Sequence, residues 1–158
     1  MATTTTIDEA RARKMPGSVA LSARARGVFP DGVTHDGRYM DTFSLYCTRA
    51  QGPRKWDVDG NEYIDYFGGH GALLLGHSHP AIVEAVAVQA KEGTHLGASH
   101  ELEVRWGEQL QEIVPSARGG LVKFTSSGTE ATMMAMRLAR AFTGKDVICK
   151  VQGHFHGW

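Results

Sequence analysis

Phe124-Thr125-Ser126-Ser127-Gly128-Thr129-Glu130-Ala131-Thr132 is followed by an apolar and basic run that reaches Arg140. The pattern predicts a strand, a tight turn and the start of a helix. Small hydroxyl residues and a glycine fall where the first helical N–H groups have no intrahelical acceptor, which suits a phosphate. Ser127 and Glu130 have the spacing of a capping box, which fixes the helix start. An ordinary helix cap accounts for the same residues. A phosphate there would gain roughly 0.3–1 kcal/mol from the helix dipole. The turn has no P-loop lysine and no Gly-x-Gly-x-x-Gly, so a nucleotide is the weaker reading. Further on lies Gly153-His154-Phe155-His156-Gly157-Trp158, a second loop dense in aromatic and imidazole groups. The two segments together point to a phosphate-bearing, ring-containing cofactor.

Outward from the turn, Leu121–Thr125 and Val147–Val151 read as strands and Thr129–Phe142 as the helix between them. That is a βαβ unit, which implies a parallel, right-handed arrangement. Both loops would then lie at the carboxyl ends of adjacent strands, where α/β sheets place ligands. Upstream, Glu101–Val114 reads as an amphipathic helix ended by Pro115. Ser78-His79-Pro80 opens another, with Pro80 at the favoured first position. Gly68–Gly76 is a glycine-rich loop. Arg54–Tyr66 reads as a hairpin around Asp59-Gly60, with alternating flanks. Phe29–Tyr46 is irregular, with turn signals at Asp31-Gly32 and Asp36-Gly37. Ser18–Gly27 reads as a short helix capped by Gly27. Residues 1–16 are expected to be loosely docked.

Composition excludes several classes. The 158 residues carry 17 basic and 17 acidic side chains, so no electrostatic footprint for nucleic acid exists. No apolar run approaches membrane-spanning length; Ala72–Leu75 is far too short. Cys47 and Cys149 are isolated, fit no zinc or redox spacing, and suggest a reducing compartment. The first 14 residues lack the apolar core of a signal peptide, and Asp8 and Glu9 argue against a transit peptide. A cytoplasmic protein is expected. The buried-strand pattern of Val147–Val151 so close to Trp158 suggests the N-terminal piece of a longer chain.

Other residues have two readings each. His154-x-His156 and His77-x-His79 place paired rings on one side of an extended chain, as metal ligands do. No third ligand or carboxylate cluster accompanies either pair, so no metal is expected. Phe155 is a stacking platform for a cofactor ring or a core phenylalanine. Arg38, in a turn-rich segment, is a partner for a substrate carboxylate or a surface arginine. His70, in Gly68-Gly69-His70-Gly71, faces a ligand or caps a turn.

Several segments in order resemble the class III pyridoxal-phosphate (PLP) aminotransferases, in particular the glutamate-1-semialdehyde aminomutase branch. They are Phe29-Pro30-Asp31-Gly32-Val33, the run from Trp56 to Tyr66, Leu75-Gly76-His77-Ser78-His79-Pro80-Ala81-Ile82, and Glu101-Leu102-Glu103-Val104. Phe124 to Ala131, Arg137-Leu138-Ala139-Arg140 and Gly153-His154-Phe155-His156-Gly157 complete the set. Singly each is weak; the ordered set, from about residue 20 onward, is highly specific.

The resemblance implies a PLP fold-type-I transferase. Residues 1–66 would be an N-terminal segment with the small-domain hairpin. Residues 67–158 would start the large, mostly parallel α/β domain. Ser127, Gly128 and Thr129 would hold the PLP phosphate, Phe155 would stack on the ring, and His156 would line the cofactor site. Arg38 would receive the substrate carboxylate, with His70 on the substrate side. The substrate would be a small amino acid or amine, and the full-length protein a homodimer. The aminomutases usually carry serine and tryptophan where this chain has Gly69 and His70. The family's Schiff-base lysine lies well downstream, and none of Lys14, Lys55, Lys91, Lys123, Lys145 or Lys150 has its context. No catalytic residue is therefore expected here, and this piece alone is expected to be inactive. An ordinary transaminase and a non-catalytic truncated remnant are the alternatives.

Overall fold

Proline lacks an N–H and fixes its own φ, so it suits the first turn of a helix. In the computed structural model, which describes residues 6–157, helix α2 (Pro16–Arg26) begins at such a proline. Its N-cap, Met15, offers no side-chain acceptor. The acceptor arrives from 42 residues away. Asp59 takes the Gly17 N–H at 2.7 Å and the Ser18 N–H at 3.1 Å. A carboxylate at a helix N-terminus satisfies orphan donors and opposes the positive end of the helix dipole.

Asp59 is held there by a hairpin. Strands β1 (Cys47–Gln51), β2 (Arg54–Asp57) and β3 (Glu62–Ile64) form an antiparallel sheet in that order. Between β2 and β3, the buried Asp57 carboxylate organises the turn. It accepts from the amides of Asp59 (3.0 Å) and Asn61 (2.8 Å), the Asn61 side chain (2.9 Å) and the Tyr63 hydroxyl (2.7 Å). Gly60 takes the left-handed conformation, φ 85°, which glycine adopts at no steric cost. The hairpin expected at Arg54–Tyr66 is present, and β1 adds a strand that the sequence reading left irregular or unassigned.

The contact face of α2 is made of small residues. Ser18 and Ser22 are buried, and their hydroxyls accept from the amides of Tyr46 (3.4 Å) and Ser44 (2.8 Å). Short side chains let the backbone of the segment before β1 come close enough to bond. Among the described residues Met15, Ala25 and Phe43 are the buried apolar side chains, with the Arg11 guanidinium 4.7 Å from the Phe43 ring centre.

The N-terminus is more ordered than expected. Thr6 and Glu9 form a reciprocal capping box that starts helix α1 (Ile7–Lys14). Residues 1–5 of the segment expected to be loosely docked lie outside the described residues. Gly27 closes α2 in a right-handed rather than left-handed conformation.

The chain divides into two compact units, Met1–His95 and Leu96–Trp158. The first also holds the Gly-rich loop and helix α3 (Pro80–Glu92), which starts at Pro80 as expected. The second holds α4 (Glu101–Ile113) and α5 (Gly128–Thr143). Leu121–Thr125 and Val147–Val151, expected to be strands, form no ladder among the described residues. A parallel strand needs neighbours to bond and layers to cover it. Leu121 and Val147 have neither and are fully or largely exposed, at 101% and 83%. No helix among the described residues is long and apolar enough to cross a membrane.

A β-carbon at Gly17 would meet Asp59 Oδ1 at 2.8 Å and Val58 Cγ2 at 2.9 Å. Gly17→Ala is therefore expected to push the hairpin tip off the helix and destabilise the first unit by about 1–3 kcal/mol. The urea midpoint of the variant measures it. An unchanged or raised midpoint would show that the turn accommodates the methyl group.

Candidate functional site

Helix α5 starts as its sequence demands. The Ser127 hydroxyl accepts from Glu130 N–H at 3.2 Å, and the Glu130 carboxylate reaches back to the Ser126 N–H at 2.7 Å. The carboxylate serves Ser126 rather than the N-cap amide, so the cap covers the turn and the helix entry together. The amides of Gly128 and Thr129, the first two helical positions, have no acceptor among the described residues. They are open donors at the positive end of a 16-residue helix.

The second loop comes to the same place. The Thr132 hydroxyl lies within hydrogen-bond reach of the carbonyls of Gly128 and Thr129, both at 3.0 Å, and of the His156 carbonyl. Its one proton is shared among them, and the His156 contact is the shortest. Gly157, at φ 93°, runs so close that a β-carbon would lie 2.7 Å from both Cα and Oγ1 of Thr129. Only glycine fits this approach. The Lys150 ammonium steadies the loop by donating to the His154 carbonyl at 3.1 Å. Phe155, between these anchors, keeps most of its ring surface exposed. The structure thus brings Ser127, Gly128 and Thr129 together with the backbone of His156 and Gly157. Behind the turn, Phe124 stacks on Trp106 of α4, with centroids 4.2 Å apart and planes 20° apart.

Donors without acceptors, a hydroxyl beside them and a cradle that a β-carbon would fill are what a phosphate ester requires. The residues present fit the phosphate of PLP.

Within the first unit, Arg38 ends a 3-10 turn (Asp36–Arg38). Its guanidinium donates to Thr34 Oγ1 at 3.1 Å, its one hydrogen-bond partner among the described residues. The backbone is held by Ser44, whose hydroxyl donates to the Arg38 carbonyl at 3.1 Å. Arg38, Thr34, Ser44 and Tyr46 border a cleft of about 400 Å³. His70 has φ 61° and lies edge-on to Phe67, centroids 4.2 Å apart.

Asp65, which no motif marks in the sequence, gathers an ionisable cluster. Asp65, at the end of the hairpin, takes His77 Nε2 at 2.6 Å, Lys55 Nζ at 3.0 Å and the Phe67 amide at 3.1 Å. His77 also exchanges two backbone bonds with Gly52, at 2.8 and 2.9 Å. The cluster ties the start of the Gly-rich loop and its end to the sheet. The signal available was a carboxylate following an alternating strand, with a histidine 12 residues on. His79 stands at the N-cap of α3, its Nδ1 buried without a partner. Among the described residues no group of three or more His, Cys, Asp or Glu side chains could hold a metal ion.

Comparison with known proteins places the chain in a family. The family model described as aminotransferase class-III matches residues 36–158, and the chain belongs to that family. The glutamate-1-semialdehyde 2,1-aminomutase of Sorangium cellulosum is 46% identical over 160 residues, 99% of this chain and 36% of its own length. Among solved structures, an omega-transaminase from Sphaerobacter thermophilus superposes with a TM-score of 0.87 at 40% identity, covering 93% of this chain and 34% of that one. A transaminase with PLP bound gives a TM-score of 0.85 at 38% identity, over 98% and 34%. The fold is that of the PLP-dependent transaminases and aminomutases, and the chain spans about a third of the length of these relatives.

Hydrogen bonds from His77 first, and then Lys55, hold the Asp65 carboxyl well below the usual carboxylate range. Burial raises the Asp57 carboxyl, but the bonds from Asn61, Tyr63 and two amides together outweigh it and hold it low. A carboxyl depressed by folding contributes stability that is present above its unfolded value of about 3.9 and lost as pH falls toward the folded one. Stability should therefore fall steeply below about pH 4, and Asp65→Asn should flatten that fall while lowering stability at neutral pH. Urea midpoints between about pH 5 and about pH 2.5 measure both slopes. Parallel slopes would remove Asp65 from the account.

Proposed function

We propose that this chain supplies the cofactor-phosphate cradle and the substrate-carboxylate arm of a PLP-dependent amino-group transferase of the glutamate-1-semialdehyde aminomutase kind. The observation that carries it is the meeting of two loops at the first turn of α5, with Gly157 packed on Thr129 and the helical amides open. In this reading residues 1–66 belong to an N-terminal segment and small-domain hairpin, and residues 67–158 open the large cofactor-binding domain.

When bound, PLP supplies an electron sink for the carbon that loses its proton. The residues of this chain bind and orient. The Gly128 and Thr129 amides and the Ser127 and Thr129 hydroxyls hold the phosphate dianion. Phe155 covers one face of the ring, where the exposed side chain offers a flat apolar platform. His156 lines the site, its backbone fixed by Thr132. Arg38 receives the carboxylate of a small amino acid through donors that Thr34 leaves unused.

A second reading is a transaminase that passes the amino group to a separate 2-oxo acid. It is favoured by Gly69 and His70, which stand where the aminomutases usually carry serine and tryptophan, and by the likeness to the Sphaerobacter thermophilus omega-transaminase. Product analysis with an isotopically labelled amino donor separates the two: the label stays within one carbon skeleton or moves to another. The exposed apolar residues of α3, Ile82, Val83 and Val86, support burial against further protein and hence a homodimer. Two exposed free cysteines support a reducing, cytoplasmic setting.

In the complete gene product, Thr129→Ala is expected to weaken PLP binding by about 1.5–3 kcal/mol, the scale of a hydrogen bond to a charged group. Phe155→Ala should cost about 1–3 kcal/mol if ring stacking resembles base stacking. The two contacts are to opposite parts of PLP, so the double variant should show nearly the sum. Titration of the apoprotein with PLP measures all three. Unchanged affinity in both single variants would return these residues to capping and packing. Arg38→Lys should cut kcat/KM on carboxylate donors by about 2–5 kcal/mol, because an ammonium lacks the planar fork. Wild-type efficiency in that variant would make Arg38 a bystander.

A further inference from the structure

A three-residue 3-10 turn has little stability of its own. The turn that carries Arg38 is nevertheless bonded at each position. Its N-cap is His35, whose Nδ1 accepts from the Gly37 N–H at 3.1 Å, while the His35 carbonyl accepts from the Arg38 N–H at 2.9 Å. The imidazole lies against Gly37 so closely that a β-carbon there would meet Nδ1 at 3.3 Å and Cε1 at 3.4 Å. An acceptor Nδ1 requires a ring whose proton sits on Nε2.

The same ring meets His70, with centroids 5.4 Å apart and planes at 56°. His70 in turn meets Phe67. Among the described residues, His70 is one of three non-glycine residues with positive φ, and Gly68, Gly69 and Gly71 around it are also left-handed. A residue with a β-carbon is uncommon in that region, and such outliers gather at functional sites. Phe67, His70 and His35 therefore form a row of rings running from the Gly-rich loop to the turn of Arg38.

We infer that His35 is a positioning residue for substrate recognition: its imidazole caps the Asp36–Arg38 turn and so aims the Arg38 guanidinium, with His70 holding the ring in place. The inference rests on Arg38 being the carboxylate-binding arginine. It makes the Gly-rich loop part of substrate selection, because a change at His70 also reaches Arg38 through His35.

Two variants separate the capping role from mere packing. His35→Asn keeps a good capping acceptor and loses the ring; His35→Phe keeps the ring and loses the acceptor. In the complete gene product, His35→Phe should raise KM for a carboxylate-bearing amino donor about fivefold, the scale of a lost cap, with kcat little changed. His35→Asn should restore KM to near wild type. Amide deuterium exchange across residues 34–39 should rise in His35→Phe and not in His35→Asn. Arg38→Ala is the reference. If it raises KM and His35→Phe changes neither KM nor exchange, His35 has no positioning role, while the reading of Arg38 stands. If Arg38→Ala leaves KM unchanged, the reading of Arg38 falls and the assignment of His35 falls with it.

Discussion

One carboxylate links the helix to the sheet in the first unit. Asp59 sits at the tip of a hairpin and bonds the first two free amides of α2, at Gly17 and Ser18. It can do so because Asp57, two residues earlier, is buried and consumed by the turn itself. Burial and the bond to Asp57 push the Tyr63 hydroxyl up to about 12, so the phenol stays protonated and remains a donor. Once α2 is seated, its small face receives the amides of Ser44 and Tyr46, and the chain leads from the turn of Arg38 into β1. The position of the Arg38 turn thus depends on a polar contact at a helix end rather than on a large apolar core.

Much of this was legible because the signals were local. Asp59-Gly60 between alternating flanks marks the hairpin, and Pro80 marks the start of α3. Ser127 and Glu130 mark the start of α5 to within a residue. The cap of α2 was not legible, since its acceptor comes from 42 residues away. The capping box at Thr6 and Glu9 was legible in principle. It was obscured by the charged, apolar-poor stretch that follows, which has no face to bury and reads as loose chain. Leu121–Thr125 and Val147–Val151 have the composition of buried strands, but composition states a preference that only neighbouring strands can satisfy.

The candidate site divides along the same line. Ser127–Thr129 can be read as a cap or an anion site from spacing alone; the structure shows the cap formed and the Gly128 and Thr129 amides open beside it. Phe155 and His156 gained roles from the resemblance, and the structure adds the backbone contacts that fix where their loop lies. Gly157 carried no signal of its own, because a close approach is a property of two segments. The same holds for Asp65, whose partners His77 and Lys55 come from different parts of the fold, and for His35, whose ring contact is His70 of the Gly-rich loop.

The contact between the Thr132 hydroxyl and the His156 carbonyl spans 24 residues, about half of them in one helix. Closing a loop of that size costs little entropy, and the helix inside it shortens the span further. In folding terms the cradle formed by these two loops is a structure of low contact order. During synthesis its two halves leave the ribosome close together in time, and each contact in the cradle can form without waiting for a distant strand. Any anion that binds the open amides of α5 at that stage would favour the folded form of this segment by mass action.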